Sequence, residues 1–247
     1  MNQNTAFDFA GKTALVVGGT SGIGNGIAQA FRAAGATVHV WGTRASAADY
    51  RAQEGSDLEG LNFSRVDVSD AVALNAFVPP FERLDVLVLA QGAVEYRRAE
   101  FQDATFRRVV DVNLNSVMGC ASLFHPMLKA AGGAVIIVSS ISAYRAALGT
   151  PAYAASKAAA LSLTRSLGAA WATDGIRVNG IAPGFVATKM TRVTTSQPQR
   201  LEATLARIPA GRIGTPGDMA GVALFLASPL AQYVVGHTIP VDGGLSA

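Results

Sequence analysis

Short apolar segments alternate with longer amphipathic segments along most of the chain. The short segments have the length of strands, and several are apolar at successive positions, as strands are when both faces of a parallel sheet are buried. The longer segments have helical periodicity and fit crossover helices between such strands. The predicted strands are residues 13–17, 37–41, 61–66, 84–90, 134–139, 177–182 and 238–241. The pattern therefore predicts an α/β fold, in which one doubly wound parallel sheet of about seven strands carries helices on both faces.

The segment after the first predicted strand has the clearest helical pattern. Its apolar residues recur at i, i+4, i+7, i+8 and i+11, and Gly35 follows where a helix commonly ends. This spacing places the apolar residues on one face. We therefore predict an amphipathic crossover helix whose buried stripe is formed by Ile23, Ile27, Ala30, Phe31 and Ala34.

The alternation of strands and helices is interrupted after residue 184. Residues 185–212 are rich in Thr, Ser, Gln, Arg and Pro and have no regular apolar period. Because ligands bind beyond the carboxyl ends of the strands in parallel sheets, we predict that this segment is a lid over a substrate. An ordinary surface excursion is the alternative.

Length and composition restrict the functional classes. A chain of 247 residues without a shift in composition fits one large domain. Lys and Arg number 20 against 17 Asp and Glu, and they are scattered, which is unlike a nucleic-acid-binding surface. No apolar stretch approaches the roughly 18 residues of a membrane-spanning helix. Cys120 has no partner for an intrachain disulfide, and residues 1–11 lack the basic start and apolar run of a targeting segment, which favours the cytoplasm.

A glycine-rich turn joins the first predicted strand to the first predicted helix. Gly18, Gly22 and Gly24 form the pattern Gly-x-x-x-Gly-x-Gly. Amides at a helix N-terminus attract anions, and glycines let a pyrophosphate approach the main chain without a clash with Cβ atoms. Many glycine-rich segments are only turns, but the position of this one between a strand and a helix favours a dinucleotide site.

The most informative side chains lie in the segment Tyr-Ala-Ala-Ser-Lys. Tyr153 and Lys157 are four residues apart, so they share one face of a helix, and Ser140 lies thirteen residues before Tyr153. A neighbouring ammonium group lowers the pKa of a phenol from its usual value near ~10, which suits proton exchange with a carbonyl oxygen. A hydroxyl such as Ser140 is then available to hold the reacting oxygen. Alone, the Tyr and Lys pair is weak evidence, because chance places it on many helices.

The glycine turn and the Tyr–Lys pair, in this order and at this separation, resemble the short-chain dehydrogenase/reductase family over nearly the whole chain. Three further segments match that family: Asp-Val-Asn-Leu at 111–114, Pro-Gly at 183–184 with Thr188, and Val-Asp-Gly-Gly at 241–244. The resemblance implies a Rossmann fold, a nicotinamide cofactor and hydride transfer to or from a secondary alcohol or ketone.

The resemblance also implies four catalytic roles. Tyr153 is the expected acid/base, and Lys157 is expected to lower its pKa and to bind the nicotinamide ribose. Ser140 is expected to stabilise the substrate oxygen, and Asn113 to anchor a water that links Lys157 to solvent. Taken without the resemblance, Ser140 fits a turn cap and Asn113 a satisfied buried amide.

The cofactor-binding residues implied by the resemblance lie at the ends of five predicted strands or belong to the Tyr–Lys pair. Asp67 with Val68 matches the adenine-contacting pair, although Asp67 also fits the cap of a helix beginning near Ser69. The whole set is Gly18, Thr20, Ser21, Gly22, Ile23, Gly24, Thr43, Arg44, Asp67, Val68, Ala90, Gly92, Tyr153, Lys157, Pro183, Gly184, Val186 and Thr188.

The end of the second predicted strand bears on the choice of cofactor. The residues there are Trp-Gly-Thr-Arg, without the carboxylate that binds the adenosine ribose of NAD. Arg44 and Thr43 are suited to the 2′-phosphate of NADP, so we predict NADP, with NAD as the alternative. Two observations weigh against this: Ser21 stands where some NADP-using relatives have a basic residue, and Arg44 also fits a solvated charge at a helix start.

Two positions depart from the family pattern. Val17 stands where the family usually has Thr, and Leu-Ala-Gln-Gly at 89–92 replaces Asn-Asn-Ala-Gly. The missing Asn side chains normally brace the sheet and the loop beside the cofactor, and Gln91 is a candidate substitute. Because all four expected catalytic residues are present, we interpret these departures as tuning of an active enzyme.

Two other functions compete with an oxidoreductase. A catalytically silent dinucleotide-binding sensor or scaffold would keep the glycine turn but has no need of the four catalytic residues. A sugar-nucleotide epimerase or dehydratase would use the same Tyr and Lys, but a chain of 247 residues is short for an additional sugar-nucleotide domain. We expect a small carbonyl or alcohol substrate, no nucleic acid, no membrane and no catalytic metal. A homotetramer is expected from the resemblance, with the Ala-rich helix at 152–172 at its interface.

Overall fold

The computed structural model of the chain describes residues 7–51 and 55–247, so part of the N-terminal segment 1–11 lies outside the described residues. Within the described residues, seven parallel strands form one sheet: β1 (Thr13–Val17), β2 (Thr37–Gly42), β3 (Asn62–Arg65), β4 (Val86–Leu89), β5 (Ala134–Val138), β6 (Arg177–Pro183) and β7 (Thr238–Val241). Their order across the sheet is β3-β2-β1-β4-β5-β6-β7. The predicted fold class is confirmed, and every strand ends within two residues of its predicted bounds.

Helices connect the strands on both faces of the sheet. They are α1 (Gly22–Ala33), α2 (Ala48–Arg51), α3 (Ala71–Asn75), α4 (Asp103–Val110), α5 (Ser116–Ala131), α6 (Pro151–Trp171), α7 (Arg192–Thr195), α8 (Pro198–Leu205) and α9 (Pro216–Ala227). A π-helical turn, Asp111–Asn115, joins α4 to α5, and short 3₁₀ turns lie at Ala99–Phe101 and Ile141–Ala143. None of the helices in the described part of the chain is long and apolar enough to span a membrane.

The core consists of two apolar layers, one on each face of the sheet. Along β1, Ala14 and Val16 pack into the layer under α1 and α9, whereas Leu15 and Val17 pack into the layer under α5. Successive strand residues point to opposite faces, so a strand that is buried on both sides must be apolar at every position. This is why several of the predicted strands, such as those at 13–17 and 134–139, are nearly continuous apolar runs.

The strand order reverses direction between β1 and β4. From β1 the chain winds outward through β2 to β3, and it then returns to the other side of β1 to form β4. The crossovers leave this point in opposite directions, which opens a crevice beyond the carboxyl ends of the two strands. The glycine turn after β1 lies at this crevice.

Residues 185–212 form two short helices, α7 and α8, beside the carboxyl ends of the strands. The segment is attached at its base, where Val186 pairs with Gly214 in a parallel bridge and the Ala187 amide donates to the Gly214 carbonyl at 3.0 Å. That this segment works as a lid stays a prediction.

Candidate active site

A cleft of about 960 Å³ lies beyond the carboxyl ends of β1 and β4. All the residues predicted to bind a cofactor line it. So do three of the four predicted catalytic residues, Ser140, Tyr153 and Lys157, whereas Asn113 lies behind the wall and is completely buried. The fold thus brings into one cavity residues that lie as far apart in sequence as Gly18 and Thr188.

The glycines of the turn after β1 are required by its geometry. Gly18 has a φ of 75° and Gly22 a φ of 56°, which are conformations that favour glycine. A Cβ atom on Gly18 would lie 2.9 Å from the Gln91 Cα atom, and one on Gly24 would collide with the Gly18 carbonyl oxygen. The backbone therefore forms a smooth cradle that a side chain would fill.

The glycine turn is braced from below by Asn25. Its Nδ2 donates to the carbonyl oxygens of Gly19 and Asp57, at 3.2 and 2.6 Å, and its Oδ1 accepts the Asp57 amide at 3.0 Å. The first turn of α1 carries no acidic side chain, and the Ser21 side chain makes no capping bond. The amides of this helix start are thus suited to an anion, as a pyrophosphate requires. The residues fit a dinucleotide.

Arg44 is held at the end of β2 by Tyr50. The Arg44 amide donates to the Tyr50 hydroxyl at 2.9 Å, and the guanidinium stacks 5.0 Å above the Tyr50 ring and donates to the Asp49 carbonyl at 2.8 Å. Lys189 and Arg192 of the segment 185–212 line the same cleft. Burial and the positive charges of Arg44 and Arg192 lower the pKa of Lys189. The mouth of the cleft is therefore strongly cationic, which suits a phosphate.

Asp67 does not cap a helix, so that alternative is wrong. Helix α3 begins at Ala71, and the cap is Asp70, whose Oδ1 accepts the amides of Val72 and Ala73. Asp67 instead accepts the Ser69 amide at 3.0 Å and the Ser69 hydroxyl at 2.7 Å, and it lines the cleft with Val68.

Tyr153 and Lys157 lie on the first turns of α6, and Ser140 follows β5. Lys157 Nζ is 5.9 Å from the centre of the Tyr153 ring and donates to the Val138 carbonyl at 2.8 Å. The Ser140 hydroxyl bonds with the phenol of Tyr153 and also accepts the Ser142 amide at 3.1 Å. Ser140 is thus both a turn cap and a neighbour of the phenol, so the two roles weighed from the sequence are compatible.

The pKa values in this cluster differ from the sequence prediction. Burial raises the pKa of Tyr153, the bond from Ser140 lowers it, and the charges of Tyr96 and Glu100 raise it further. Burial also lowers the pKa of Lys157 to about 8. Lys157 is not among the groups that shift the tyrosine pKa, and burial dominates because removal of water penalises both charged forms. At neutral pH the phenol keeps its proton.

Asn113 sits in the π-helical turn and is fully satisfied. Its Oδ1 accepts the Ala93 amide at 2.7 Å, and its Nδ2 donates to the Ala93 carbonyl and to the Ser156 hydroxyl at 2.9 and 3.0 Å. A methyl group on Gly92 would lie 3.5 Å from Lys157 Nζ and 3.6 Å from Asn113 Oδ1, so both groups border the same small space. The predicted satisfied amide is correct, and the position beside Lys157 agrees with the role implied by the family resemblance.

Gln91 replaces a family residue at the carboxyl end of β4. Its Nε2 donates to the Ser116 hydroxyl at 3.0 Å, and that hydroxyl donates to the Val112 carbonyl at 2.6 Å. The side chain thereby connects β4 to the π-helical turn and to α5. This is the bracing contact for which Gln91 was a candidate.

Sequence reasoning missed two residues that shape the substrate side of the cleft. The Tyr96 hydroxyl donates to the Met190 carbonyl at 2.8 Å and so connects the loop after β4 to the segment 185–212. Glu100 is only 1% exposed, and its carboxylate accepts the Glu95 and Tyr153 amides, both at 2.9 Å. No local pattern marks either residue, because Met190 and Tyr153, the partners that connect them to the rest of the cleft, are distant in sequence.

Known proteins resemble this chain along its whole length. A family model described as enoyl-(acyl carrier protein) reductase matches residues 17–246. The 2-dehydro-3-deoxy-D-gluconate 5-dehydrogenase of Bacillus subtilis (strain 168) is 39% identical over 246 residues, which cover 97% of this chain and 96% of that protein. The 3-oxoacyl-(acyl-carrier-protein) reductase FabG of Chlamydia muridarum is 37% identical over 243 residues, which cover 95% of this chain and 97% of that protein.

A solved structure adds information on ligands. The gluconate 5-dehydrogenase of Burkholderia cenocepacia J2315, in complex with NADP and tartrate, superposes with a TM-score of 0.87 at 28% identity. The match covers 98% of this chain and 97% of that one.

Proposed function

Since the chain belongs to the short-chain dehydrogenase/reductase family, we propose that it is an NADP-dependent enzyme whose substrates are hydroxy and keto acids related to sugar acids. It is an oxidoreductase that interconverts a secondary alcohol and a ketone with a nicotinamide cofactor. The observation that carries the proposal is one cleft that contains the glycine cradle, the Ser140–Tyr153–Lys157 cluster and a cationic mouth. The relatives give no support to a catalytically silent sensor.

Arg44 and Lys189 support the preference for NADP. The end of β2 offers no carboxylate to the adenosine ribose, and Arg44 is held in place there by Tyr50. Arg44 and Lys189 would hold a 2′-phosphate through charge-assisted hydrogen bonds, and its negative charge would offset the repulsion between these two cations. The Burkholderia relative is solved with NADP, which agrees with this choice.

The glycine cradle and the start of α1 would hold the pyrophosphate, and Thr188 with Pro183 and Gly184 would border the nicotinamide end. When bound, the cofactor supplies or accepts the hydride at the substrate carbon. The chain itself has to orient the substrate, exclude water and move one proton.

We assign that proton to the Tyr153 phenol. During reduction, the phenol donates its proton to the substrate oxygen while the Ser140 hydroxyl holds the same oxygen. Lys157 borders the phenol and the space beside Gly92, where it is placed to bind a ribose hydroxyl and to return a proton from solvent. Asn113 fixes the loop at Ala93 and so keeps this space open. The raised pKa of Tyr153 keeps the phenol protonated at neutral pH, which is the form that ketone reduction requires.

The substrate class is inferred from the relatives and from charge. The Bacillus relative is named for an acidic sugar substrate, and the Burkholderia relative was solved with tartrate, a hydroxy dicarboxylate. In this chain Arg192 lines the cleft beside Met190 and Val193. A guanidinium at this place suits a carboxylate, which it binds through two parallel hydrogen bonds.

A 3-oxoacyl thioester is the second candidate substrate. The Chlamydia relative is named for this reaction, and the matching family model is described as a reductase of the same carrier-bound class. Apolar residues that line the cleft, such as Val94 and Val193, are compatible with an acyl chain.

A substrate panel tests the proposal. Oxidation of NADPH would be followed with keto sugar acids, neutral ketoses and 3-oxoacyl thioesters, and reduction of NADP with the corresponding alcohols. We expect turnover with keto acids, loss of most of it in Arg192→Ala through a raised KM, and an unchanged Arg200→Ala control. Turnover of the thioester alone would favour the second candidate, and turnover of neutral ketoses alone would reject the acidic class.

Three further expectations accompany this function. We propose that residues 185–212 close over the substrate, supported by the Tyr96–Met190 bond across the cleft. We propose a homotetramer, because α6 carries a stripe of small exposed residues: Ala155, Ala158, Ser162, Ser166 and Ala169. A mass measurement in solution that gives a monomer would reject it. The cytoplasmic location stays a proposal that cell fractionation can test.

A further inference from the structure

Glu100 is a buried carboxylate beside the catalytic helix. It lies in the 3₁₀ turn Ala99–Phe101, where its side chain is almost completely removed from solvent. Its Oε2 accepts the amide of Tyr153 at 2.9 Å, and its Oε1 accepts the amide of Glu95 at 2.9 Å. Burial of a charged group is costly unless hydrogen bonds compensate it, so this carboxylate is retained against a penalty.

The bond between the Tyr153 amide and Glu100 caps the N-terminal end of α6. The first amides of a helix have no partner within the helix and are usually capped by the residue that precedes it. That residue, Thr150, makes no side-chain capping bond. Glu100 performs the capping from 53 residues away, and the amide that it holds is that of Tyr153 itself. The backbone that carries the phenol is thus anchored to a different segment of the chain.

The bond between the Glu95 amide and Glu100 links Tyr153 indirectly to the segment 185–212. Glu95 precedes Tyr96, and the Tyr96 hydroxyl donates to the Met190 carbonyl at 2.8 Å. A short path therefore leads from Met190 through the Glu95–Tyr96 pair and Glu100 to the Tyr153 amide. Each step is a hydrogen bond or a covalent connection.

The loop between Glu95 and Glu100 contains strained backbone conformations. Arg97 and Arg98 are consecutive non-glycine residues with φ values of 59° and 62°. Left-handed conformations of this kind persist where surrounding contacts over-determine the backbone. Here the Glu95 bond to Glu100 and the Ala99 amide bond to the Tyr96 carbonyl close the loop on itself.

We propose that Glu100 is a positioning residue of the reaction: it fixes Tyr153 relative to the loop 95–100, which contacts the segment 185–212 through Tyr96. This inference rests on the proposed role of Tyr153. Glu100 itself is not placed to touch the substrate, because its two oxygens are occupied by backbone amides. Its effect on catalysis is exerted through the position and the protonation of the phenol.

The charge of Glu100 gives this role a specific signature. Negative charge at Glu100 raises the pKa of Tyr153, as do burial and Tyr96, whereas the Ser140 hydroxyl lowers it. The other charged groups that line the cleft are Lys157 on α6, Lys189 and Arg192 on the opposite wall, and Arg44 and Asp67 at the cofactor end. Alcohol oxidation requires the phenolate. Removal of the Glu100 charge should therefore lower the pKa of Tyr153 and move the rise of oxidation rate to lower pH.

Two substitutions separate charge from geometry. Glu100→Gln keeps the size of the side chain but removes the charge and one acceptor, and Glu100→Asp keeps the charge but is too short to hold both amides. We expect kcat to fall about ten- to a hundredfold in both variants, with little change in NADPH binding. The pH profile of oxidation should move to lower pH in Glu100→Gln only. Asp103→Asn, an exposed neighbour with the same change of charge, is the control.

Tyr153→Phe is measured beside these variants. If it retains activity, the proposed role of Tyr153 is wrong irrespective of Glu100. If it is inactive while Glu100→Gln matches the wild-type enzyme in kcat and pH profile, the positioning role alone is rejected. Equal loss in Glu100→Gln and Glu100→Asp without any shift of the profile leaves only a structural cap and also rejects the role. Should Glu100→Gln not fold, Glu100→Asp and Tyr96→Phe decide: both must lower kcat while NADPH binding persists, and unchanged kcat overturns the role.

Discussion

The two halves of the cleft are built in different ways. On the cofactor side, β1, the glycine turn and α1 are consecutive in sequence, and the shape depends on backbone conformations that neighbouring residues dictate. On the substrate side, the wall joins the loop 92–101, the start of α6 and the segment 185–212 through side chains that reach across the fold. The contrast indicates that the glycine cradle is shaped mainly by neighbouring residues, whereas the substrate side depends on a few long-range hydrogen bonds.

Substitution of Gly24 should have the largest effect of the changes predicted here, namely loss of cofactor binding. A Cβ atom there collides with the Gly18 carbonyl, so Gly24→Ala should abolish measurable NADPH binding and lower the free energy of unfolding by about 1–3 kcal/mol. Gly221→Ala on exposed α9 is the matched control, because nothing lies within 4 Å of its added methyl group. It should raise stability by about 0.5–1 kcal/mol. Fluorescence titration with NADPH and denaturant unfolding measure the two effects, and a Gly24→Ala protein that binds normally would contradict the local account.

Substitution of Arg44 should change the choice of cofactor rather than abolish binding. Loss of one charge-assisted contact to the 2′-phosphate costs about 1.5–3 kcal/mol, so Arg44→Ala should raise the KM for NADPH about 10- to 100-fold and leave that for NADH nearly unchanged. Arg32→Ala, on the exposed face of α1, should change neither KM. Equal effects on both cofactors would show that Arg44 does not discriminate between them.

The pH dependence tests the substrate side through Lys157 and Tyr153. Burial lowers the pKa of Lys157 to about 8, so its charge is present below that pH and lost as the pH rises through it. Burial raises the pKa of Tyr153, so the phenol stays protonated to higher pH than usual. Ketone reduction should therefore be constant at neutral pH and decline from about pH 8, whereas alcohol oxidation should keep rising as the pH increases. Steady-state rates in both directions check this, and reduction that increases above pH 8 would contradict the assignment.

The smallest expected effect comes from Tyr96. Tyr96→Phe removes one hydrogen bond to Met190, which is worth about 0.5–1.5 kcal/mol, so kcat/KM for the substrate should fall about 2- to 12-fold, with a lower kcat. NADPH binding should not change, because the cofactor side is built separately. Loss of cofactor binding in this variant would show that the two halves are not independent.

The contrast also explains what the sequence could predict. The strands, α1, the glycine turn and the Tyr153–Lys157 pair follow from periodicity and short spacing, and the structure reproduces all of them. The Tyr96–Met190 and Glu100–Tyr153 hydrogen bonds join residues that are 94 and 53 positions apart, and no local sequence pattern predicts them. The shift of the Tyr153 pKa was predicted in the wrong direction, because spacing reveals the neighbouring Lys157 but not the loss of water around both groups.

Capping was also predicted imperfectly. Asp67 and Asp70 are equally plausible caps from residue type alone, and the structure assigns the cap to Asp70 because α3 begins at Ala71. The end of β4 was predicted better: Gln91 was a candidate brace because it carries an amide like the family's Asn, and its side chain reaches Ser116.

The central claim is that the Tyr153 phenol transfers the proton. The most direct test is single-turnover reduction of a keto acid by NADPH bound to the wild-type enzyme, to Tyr153→Phe and to Tyr233→Phe, whose ring is fully exposed on the surface. We predict that Tyr153→Phe binds NADPH normally but reduces the substrate about 10²- to 10⁴-fold more slowly, while Tyr233→Phe matches the wild type. A Tyr153→Phe enzyme that reduces the keto acid at the wild-type rate would contradict the account.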